Sequence, residues 1–311
     1  MAAPLKVVFL GNDRWSVPSL RALATSEHRI ERVLTRVPKP AGRGNELTPT
    51  PVAIAAREAN LPLVETETVK AGAGFDAIVA GRPDVLAVVA YGEILPPSLL
   101  EVPGVAPVNL HFSLLPRLRG ASPVQSALLE GAGETGVTTI VMDAGMDTGP
   151  VLLQRPEPVR PQDDAGSLGD RLAEIGARLL VESIDLLAAG AAEPRPQDGS
   201  GASTTRPIRA ADRVLRWEDT AIALVNRTRA MAPEPGAATR FRAEPLKVLR
   251  AEAVDASGEP GTIVIVDGDG FVVATAEGGF RPLELAPAGR KRMRASDFVN
   301  GFAPRVGERL G

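Results

Sequence analysis

Three polar residues of the sequence have the types that a proton-moving, charge-stabilising site requires. Asn109 and His111 stand two apart at the end of the apolar run 105–108, so in a strand both side chains point to the same face. Asp147, in the later segment 142–149, supplies a carboxylate. An amide donor, a group that titrates near neutrality and a carboxylate together favour a site that stabilises an oxyanion and moves a proton without a covalent nucleophile.

Each of these residues also has a purely structural interpretation. An asparagine at a strand end can serve as a cap, a lone histidine is most often a core residue with satisfied hydrogen bonds, and Asp-Thr-Gly at 147–149 is a common turn sequence. The spacing of Asn109 from His111 at a strand end favours the catalytic interpretation for that pair. Aspartic proteases also contain Asp-Thr-Gly, but they need two such carboxylates, and the sequence has no second copy.

The surrounding elements alternate between strands and helices, which is typical of a doubly wound α/β sheet. Residues 6–36 predict a strand, a turn, a helix and a second strand. The apolar runs 84–90 and 105–110 predict strands that are buried on both faces. Because such sheets bind ligands beyond the C-terminal ends of their strands, we expect residues 91–94 and 111–113 to lie at one crevice.

A smaller β domain follows the α/β domain. Residues 188–207 are rich in Ala, Gly, Pro, Ser and Thr and lack sustained apolar periodicity, as is typical of a linker. The amphipathic segment 217–231 then leads into five short alternating runs with the hairpin turn Asp-Gly-Asp-Gly at 267–270, which favours a small barrel. We predict a catalytic domain over residues 1–190, a linker over 191–207 and a second domain over 208–311.

The composition argues against several classes of site. The 311 residues include no cysteine and only two histidines, His28 and His111, so disulfides, thiolate nucleophiles and multi-histidine metal sites are not expected. Only Gly11 of the three dinucleotide-fingerprint glycines is present after the first strand, which disfavours nicotinamide binding. No apolar run approaches membrane-spanning length and no signal peptide is recognised. We therefore expect a cytoplasmic protein.

The sequence resembles the formyltransferases that use 10-formyltetrahydrofolate. The segment 109–120, Asn-Leu-His-Phe-Ser-Leu-Leu-Pro-Arg-Leu-Arg-Gly, together with Asp147 matches the active-site pattern of that family. Further similar segments are 41–44, 91–96, 119–125 and 134–138, so the resemblance covers nearly the whole chain. It implies a Rossmann-like formyltransferase domain, a C-terminal OB-like domain that binds tRNA, and formyl transfer to methionine on initiator methionyl-tRNA during translation initiation.

The resemblance also implies residue roles. Asn109 and the imidazolium of His111 would donate to the oxyanion, and Asp147 would help to relay the proton. Contacts to the folate donor are expected from Tyr91, Gly92, Ile94, Ser113, Leu114, Leu115, Pro116 and Asp143, although Asp143 has the alternative of serving the fold. Contacts to tRNA are expected from Arg43, in a glycine-bearing loop, and from the cationic cluster Arg290, Lys291, Arg292 and Arg294. No metal ion is expected.

Three segments depart from the family pattern. Phe112 stands where a small residue or proline is common, residues 12–15 replace a Thr-Pro-containing turn, and Pro-Glu-Pro at 233–235 replaces an aromatic-bearing Pro-Trp-Pro. Because Phe112 adjoins His111, the acceptor amine is less well defined than the reaction. The alternatives are a sugar-nucleotide amine formyltransferase, a formyltetrahydrofolate hydrolase and a non-catalytic nucleotide-binding module.

Overall fold

The computed structural model describes residues 3–41 and 45–311, with only the main chain at Ala41. The chain divides into two units. The first consists of Met1–Pro123, Glu134–Pro158 and Gly169–Arg206, and the second of Val124–Gly133, Val159–Leu168 and Pro207–Gly311. Within the described ranges, no helix combines the length and apolar character that a membrane crossing requires.

The first unit is built on a central sheet. The strands in this part of the chain are β1 (Lys6–Gly11), β2 (Arg29–Arg36), β3 (Lys39–Ala41), β4 (Glu46–Thr48), β5 (Leu63–Thr66), β6 (Val85–Val89), β7 (Ala106–His111), β8 (Arg119–Gly120), β9 (Glu134–Val141), β10 (Val151–Pro158) and β11 (Thr204–Thr205). Over the described residues the sheet has seven strands in the order β10-β9-β7-β6-β1-β2-β5. The strands from β5 to β7 in that order are parallel, whereas β9 and β10 are antiparallel to their neighbours.

Helices connect these strands. They are α1 (Val17–Ala24), α2 (Pro51–Glu58), α3 (Gly72–Gly81), α4 (Pro97–Leu100), α5 (Pro123–Leu129) and α6 (Ala165–Ala188). The start of α2 shows why a helix begins there. Thr50 caps it, because Thr50 Oγ1 accepts a hydrogen bond from Ala53 N at 3.0 Å. Pro51 occupies the first helical position, where a backbone N–H would have no partner within the helix. The predicted doubly wound α/β class is confirmed.

The strand order of the first sheet reverses beside β1. After β1 the chain adds β2 and β5 on one side, and it then returns to place β6 and β7 on the other. Asn12 joins three strand ends there, because its Nδ2 donates to Tyr91 O while its Oδ1 accepts from Thr35 Oγ1 at 3.0 Å and from Arg36 N at 2.9 Å. The crevice beside a switch of this kind is the usual ligand site of an open α/β sheet.

The second unit contains an antiparallel sheet. Its later elements are α7 (Ala221–Met231), β12 (Ala237–Phe241), β13 (Glu244–Val254), β14 (Ile263–Asp267), β15 (Gly270–Ala274), β16 (Gly279–Pro287), β17 (Met293–Arg294) and α8 (Ala295–Phe302). The strand order is β12-β13-β16-β15-β14, and β17 pairs with β16. Aromatic side chains fill its core: Trp217 packs edge-on against Phe280 at 5.6 Å, and Phe298 lies 5.3 Å from Phe241, between ring centroids.

The prediction of a small β domain is confirmed, but it omitted two elements. The strand β17 has two residues, and α8 has eight, including an asparagine and a glycine, so neither gives a strong periodic signal. In the sequence, the segment 290–294 is therefore visible only as a run of charge.

Candidate active site

The strand β7 carries Asn109 and His111 at its C-terminal end. It is hydrogen-bonded to the parallel strand β6 on one side and to the antiparallel strand β9 on the other. His111 is 5% exposed, and Asn109 is partly exposed. Because β7 lies inside the sheet, its backbone fixes the position of both side chains at the crevice edge.

Asp147 reaches the same place from the loop between β9 and β10. Its φ is 55°, a left-handed conformation that non-glycine residues seldom adopt. Asp143 organises the loop, because its Oδ1 accepts from Gly145 N at 3.0 Å and from Thr148 Oγ1 at 2.7 Å. At Gly149 an added Cβ would overlap the carbonyl oxygen of Val141. The loop thus needs a glycine to pass close to the end of β9.

The structure brings the three predicted catalytic residues together. Asn109 Nδ2 donates to Asp147 Oδ1 at 3.3 Å, and His111 Nδ1 lies 3.4 Å from Asp147 Oδ2. Gly120 N also donates to Asp147 Oδ2, at 2.8 Å. An amide group carries two N–H donors, so Asn109 can hold the carboxylate with one and offer the other to a substrate oxygen.

The imidazole of His111 is held from both sides. Its Nε2 lies 2.9 Å from Leu118 O. Since a carbonyl oxygen can only accept, Nε2 carries a proton and Nδ1 is the nitrogen that faces Asp147. Both ring nitrogens therefore point at protein atoms, and a direct bond from Nε2 to an oxyanion would require Leu118 O to be given up. This geometry makes Asn109 the readier oxyanion donor.

The turn after β7 contains the predicted folate contacts Ser113 to Pro116. Ser113 Oγ donates to Arg117 O at 2.6 Å, and Leu115 belongs to a buried cluster with Ile140 and Val151. The side chains of Ser113 and Leu115 are 0% and 5% exposed. The side chains of Ser113 and Leu115 therefore stabilise the turn and are not accessible to a ligand. A ligand could contact the partly exposed Leu114 and Pro116 and the main chain.

The second predicted folate segment follows β6. Ile94 is 67% exposed and Gly92 is exposed, whereas Tyr91 is only 2% exposed and packs in the apolar cluster that contains Leu10, Leu86 and Leu95. A ligand at this strand end would meet Ile94 and the main chain. The aromatic ring of Tyr91 faces inward, and its hydroxyl has no hydrogen-bond partner among the described residues.

The pKa of Tyr91 can be measured by a single titration that follows tyrosine absorbance, and its shift predicts a loss of stability at high pH. Tyr91 is the sole tyrosine of the chain, and burial, followed by the nearby charge of Glu93, raises its pKa to about 12. Above pH ~10, where a free tyrosine ionises, the unfolded chain binds fewer protons than the folded chain. The free energy of unfolding should therefore fall between about pH 10 and 12. The loss should be on the order of 2–3 kcal/mol.

The matched variant is Tyr91→Phe, which keeps the ring and removes the unpartnered hydroxyl. Near pH 8 its free energy of unfolding in urea should equal or exceed that of the wild type, because an unbonded buried hydroxyl costs stability. Its KM for a folate donor should not change. A raised KM together with normal stability would instead place the hydroxyl in contact with the ligand.

Phe112 packs away from the catalytic crevice. It is 6% exposed, and its ring centroid lies 6.0 Å from that of Trp15. Trp15 in turn donates through Nε1 to Asp170 Oδ1 at 3.0 Å, and a Cβ at Gly169 would overlap its ring. Phe112 and Trp15, one from each of two segments that depart from the family pattern, thus meet in one packing cluster behind β7.

The sequence interpretation missed several residues that hold the site. Gln197 and Arg119 join the loop of Asp147 to the turn after β7, and Leu118 supplies the acceptor for His111. Arg119 lies in a segment already singled out by the resemblance, whereas Gln197 lies in the predicted linker. Among the described residues, no group of three or more acidic or histidine side chains is arranged to hold a metal ion.

The predicted tRNA contacts belong to the second unit or fall outside the described residues. Arg43 is one of the residues that the structure does not describe. Arg290, Lys291, Arg292 and Arg294 are all exposed, in the turn from β16 to β17 and at its end. Arg292 Nη2 forms an ion pair with Glu284 Oε2 at 2.8 Å. The other three have no ion pair with a described residue.

Comparison with protein families gives two matches that together span most of the chain. Residues 5–184 match the formyl transferase family, and residues 207–303 match the formyl transferase C-terminal domain. The methionyl-tRNA formyltransferase of Aromatoleum aromaticum is 39% identical over 309 residues, which cover 99% of this chain and 98% of the relative. That of a Roseiflexus species is 41% identical over 312 residues, with 99% and 96% covered.

Solved structures share the fold at lower identity. The methionyl-tRNA formyltransferase of Clostridium thermocellum aligns with a TM-score of 0.58 and 17% identity, over 80% of this chain and 93% of that one. HypX from Aquifex aeolicus, solved in complex with tetrahydrofolic acid, aligns with a TM-score of 0.64 and 16% identity. The alignment covers 98% of this chain and 48% of the HypX chain.

Proposed function

Because this chain belongs to the formyl transferase family, we propose that it transfers the formyl group of 10-formyltetrahydrofolate to the amino group of methionine on initiator methionyl-tRNA. Relatives named for this activity match along nearly their whole length, the C-terminal domain included. The observation that carries the chemistry is the meeting of Asn109, His111 and Asp147 at the end of β7. The reaction belongs to translation initiation and so to the cytoplasm.

In the proposed reaction the methionine nitrogen attacks the formyl carbon. A bond forms between them, the carbonyl oxygen takes up negative charge, and the bond from carbon to folate N10 then breaks. Asn109 offers an amide N–H to the developing oxyanion. Asp147 accepts the proton of the attacking amine, directly or through water, and this proton passes on to N10 as the bond to carbon breaks. His111 positions Asp147 and shares in the proton relay, with no covalent enzyme intermediate.

The folate donor would lie along the strand-end crevice. The exposed side chain of Ile94 and the exposed main chain at Gly92 offer an apolar surface and hydrogen-bonding edges, which suit a planar pterin. Leu114 and Pro116 offer a second edge after β7. Asp143 holds its own loop through one carboxylate oxygen, so its role toward folate would be indirect or would use the other oxygen.

A formyl-transfer assay with four acceptor conditions tests this function. Initiator methionyl-tRNA, elongator methionyl-tRNA, a nucleotide-linked amino sugar and no acceptor would be compared at equal concentrations of donor. We expect formylation of the initiator tRNA far above the other three. Transfer to the amino sugar alone would identify a sugar-nucleotide amine formyltransferase, and release of formate without an acceptor would identify a hydrolase.

The cationic cluster makes a prediction about salt. Because each phosphate contact releases counterions, Lys291→Ala should weaken binding of all tRNAs and lower the magnitude of the log-log salt slope by roughly one unit. Arg292→Ala is the internal comparison, and it should have less effect because Glu284 already offsets that charge at 2.8 Å. Binding would be measured across a salt series, and equal slopes for Lys291→Ala and the wild type would exclude this cluster from the tRNA interface.

Arg43 is proposed to act differently, through discrimination. A basic side chain on a glycine-bearing loop can reach the acceptor end, where initiator and elongator tRNAs differ in how readily the terminal pair opens. Arg43→Ala should therefore lower formylation of the initiator tRNA more than that of the elongator tRNA. Equal losses on both, with a salt slope like that of Lys291→Ala, would reduce Arg43 to a phosphate contact.

A further inference from the structure

The segment 195–205, here called the strap, binds both the loop that carries Asp147 and the turn that follows β7. At one end, Arg195 pairs with Val151, just after the loop of Asp147, through N–O hydrogen bonds of 2.7 and 2.8 Å. At the other end, Ser203 binds the turn after β7, because its Oγ accepts from Leu118 N at 2.9 Å and its carbonyl accepts from Arg119 N at 2.9 Å. The strand β11 then pairs in parallel with β8. The composition of this segment is typical of a linker, but its backbone and side chains form hydrogen bonds with the first unit.

Gln197 is the point of the strap where the two loops are joined by a single side chain. Its Nε2 donates to the carbonyl oxygens of Asp147 and Gly149, both at 2.8 Å. Its Oε1 accepts from Arg119 Nε at 3.1 Å and from Arg119 Nη2 at 2.7 Å. An amide has two donors and two acceptor positions, and all four are used here.

The two loops that Gln197 joins also meet at the catalytic groups. Gly120 N donates to Asp147 Oδ2 at 2.8 Å, and Leu118 O accepts from His111 Nε2 at 2.9 Å. A shift of the 118–120 turn relative to Asp147 would therefore change both partners of His111 at once. Asp147 also has the left-handed φ of 55°, which persists only where surrounding contacts enforce it.

We propose that Gln197 is a positioning residue for formyl transfer, which sets the separation between Asp147 and the 118–120 turn and thereby the placement of the Asp147 carboxylate against Asn109 and His111. This inference rests on the proposed function. It assigns no contact with substrate to Gln197, which acts through Asp147. The loss of Gln197 should lower kcat, because misplacement of a reacting group by about 1 Å can reduce the rate on the order of 100-fold.

The test variant is Gln197→Glu, which keeps the length of the side chain and the interaction with Arg119 but has no N–H to give to Asp147 O and Gly149 O. We expect kcat to fall roughly 10- to 100-fold, with KM for the folate donor and for tRNA within about twofold. The matched control is Asp198→Asn, since the Asp198 carboxylate accepts only from Ser200 among the described residues. This control should keep wild-type turnover.

A double-mutant cycle separates positioning from a general structural role. If Gln197 acts through Asp147, Gln197→Glu should cost little further turnover in an Asp147→Asn background, because coupled residues are not additive. An equal fold-loss in both backgrounds, a raised KM with normal kcat, or unchanged turnover for Gln197→Glu would each overturn the proposal.

Hydrogen exchange provides a readout that does not depend on the reaction. In Gln197→Glu, the amides of the 118–120 and 147–149 segments should exchange about tenfold faster or more, whereas Asp198→Asn should leave them unchanged. Unchanged exchange in Gln197→Glu would overturn the proposal even if the wild type formylates none of the tested acceptors. Absence of wild-type transfer would by itself overturn only the proposed function.

Discussion

Replacing Asn109 with alanine should lower formyl-transfer turnover by about 100- to 1000-fold, the usual cost of losing one oxyanion donor. Asn109 holds Asp147 Oδ1 through one N–H at 3.3 Å, so the variant loses both the donor to substrate and one support of the carboxylate. Single-turnover kinetics with initiator methionyl-tRNA would measure the loss.

Folate binding is the control for the Asn109→Ala variant. Calorimetry with a non-reactive folate should give nearly the wild-type affinity, because the main contacts expected for folate lie on the loops after β6 and β7. Near-normal turnover would remove Asn109 from the mechanism. A loss of affinity as large as the loss of turnover would instead make it a ground-state binding residue.

Replacing Asp147 with asparagine should have an effect at least as large, about 10²- to 10⁴-fold in turnover, the range for loss of a proton-transfer group. The two carboxylate oxygens accept from Asn109 Nδ2 and Gly120 N, and Oδ2 faces His111 Nδ1 at 3.4 Å. An amide keeps only one of these oxygens, so its NH₂ group must face one of the donors.

The neighbouring Asp143→Asn substitution is the matched comparison on the same loop. It retains an oxygen for Gly145 N and Thr148 Oγ1, which bind a single carboxylate oxygen in the native loop. We expect less than a tenfold change in kcat, with any effect confined to KM for folate. Thermal unfolding of both variants would show whether the loop remains in place. Similar losses of kcat in both variants would assign the effect to the loop conformation and not to the Asp147 carboxylate.

The sequence predicts part of this site because part of it is local. Asn109 and His111 follow an apolar run and are two residues apart, so the alternation of a strand is sufficient to place them on one face. Asp147 carries no comparable signal. Its position depends on a left-handed backbone, on the close approach of Gly149 to β9 and on hydrogen bonds from distant segments.

Side-chain direction at strand ends was the least predictable feature. Tyr91, a predicted folate contact, lies two residues beyond β6, and the structure places its ring in the core and leaves the side chain of Ile94 exposed. Gln197 was hidden for another reason, since loop contacts between a side-chain amide and main-chain carbonyls leave no periodic pattern. The helix α8 is not predicted by the sequence, because eight residues are too few for a clear helical repeat.

The two tryptophans of the chain are divided between the two units. Trp15 packs on Phe112 behind the catalytic strand, and Trp217 packs on Phe280 in the β domain. Each unit thus contains one tryptophan, so Trp15→Phe and Trp217→Phe variants would each leave tryptophan fluorescence from one unit only. Denaturant titrations of the pair would show whether the two units unfold in one cooperative step or in succession.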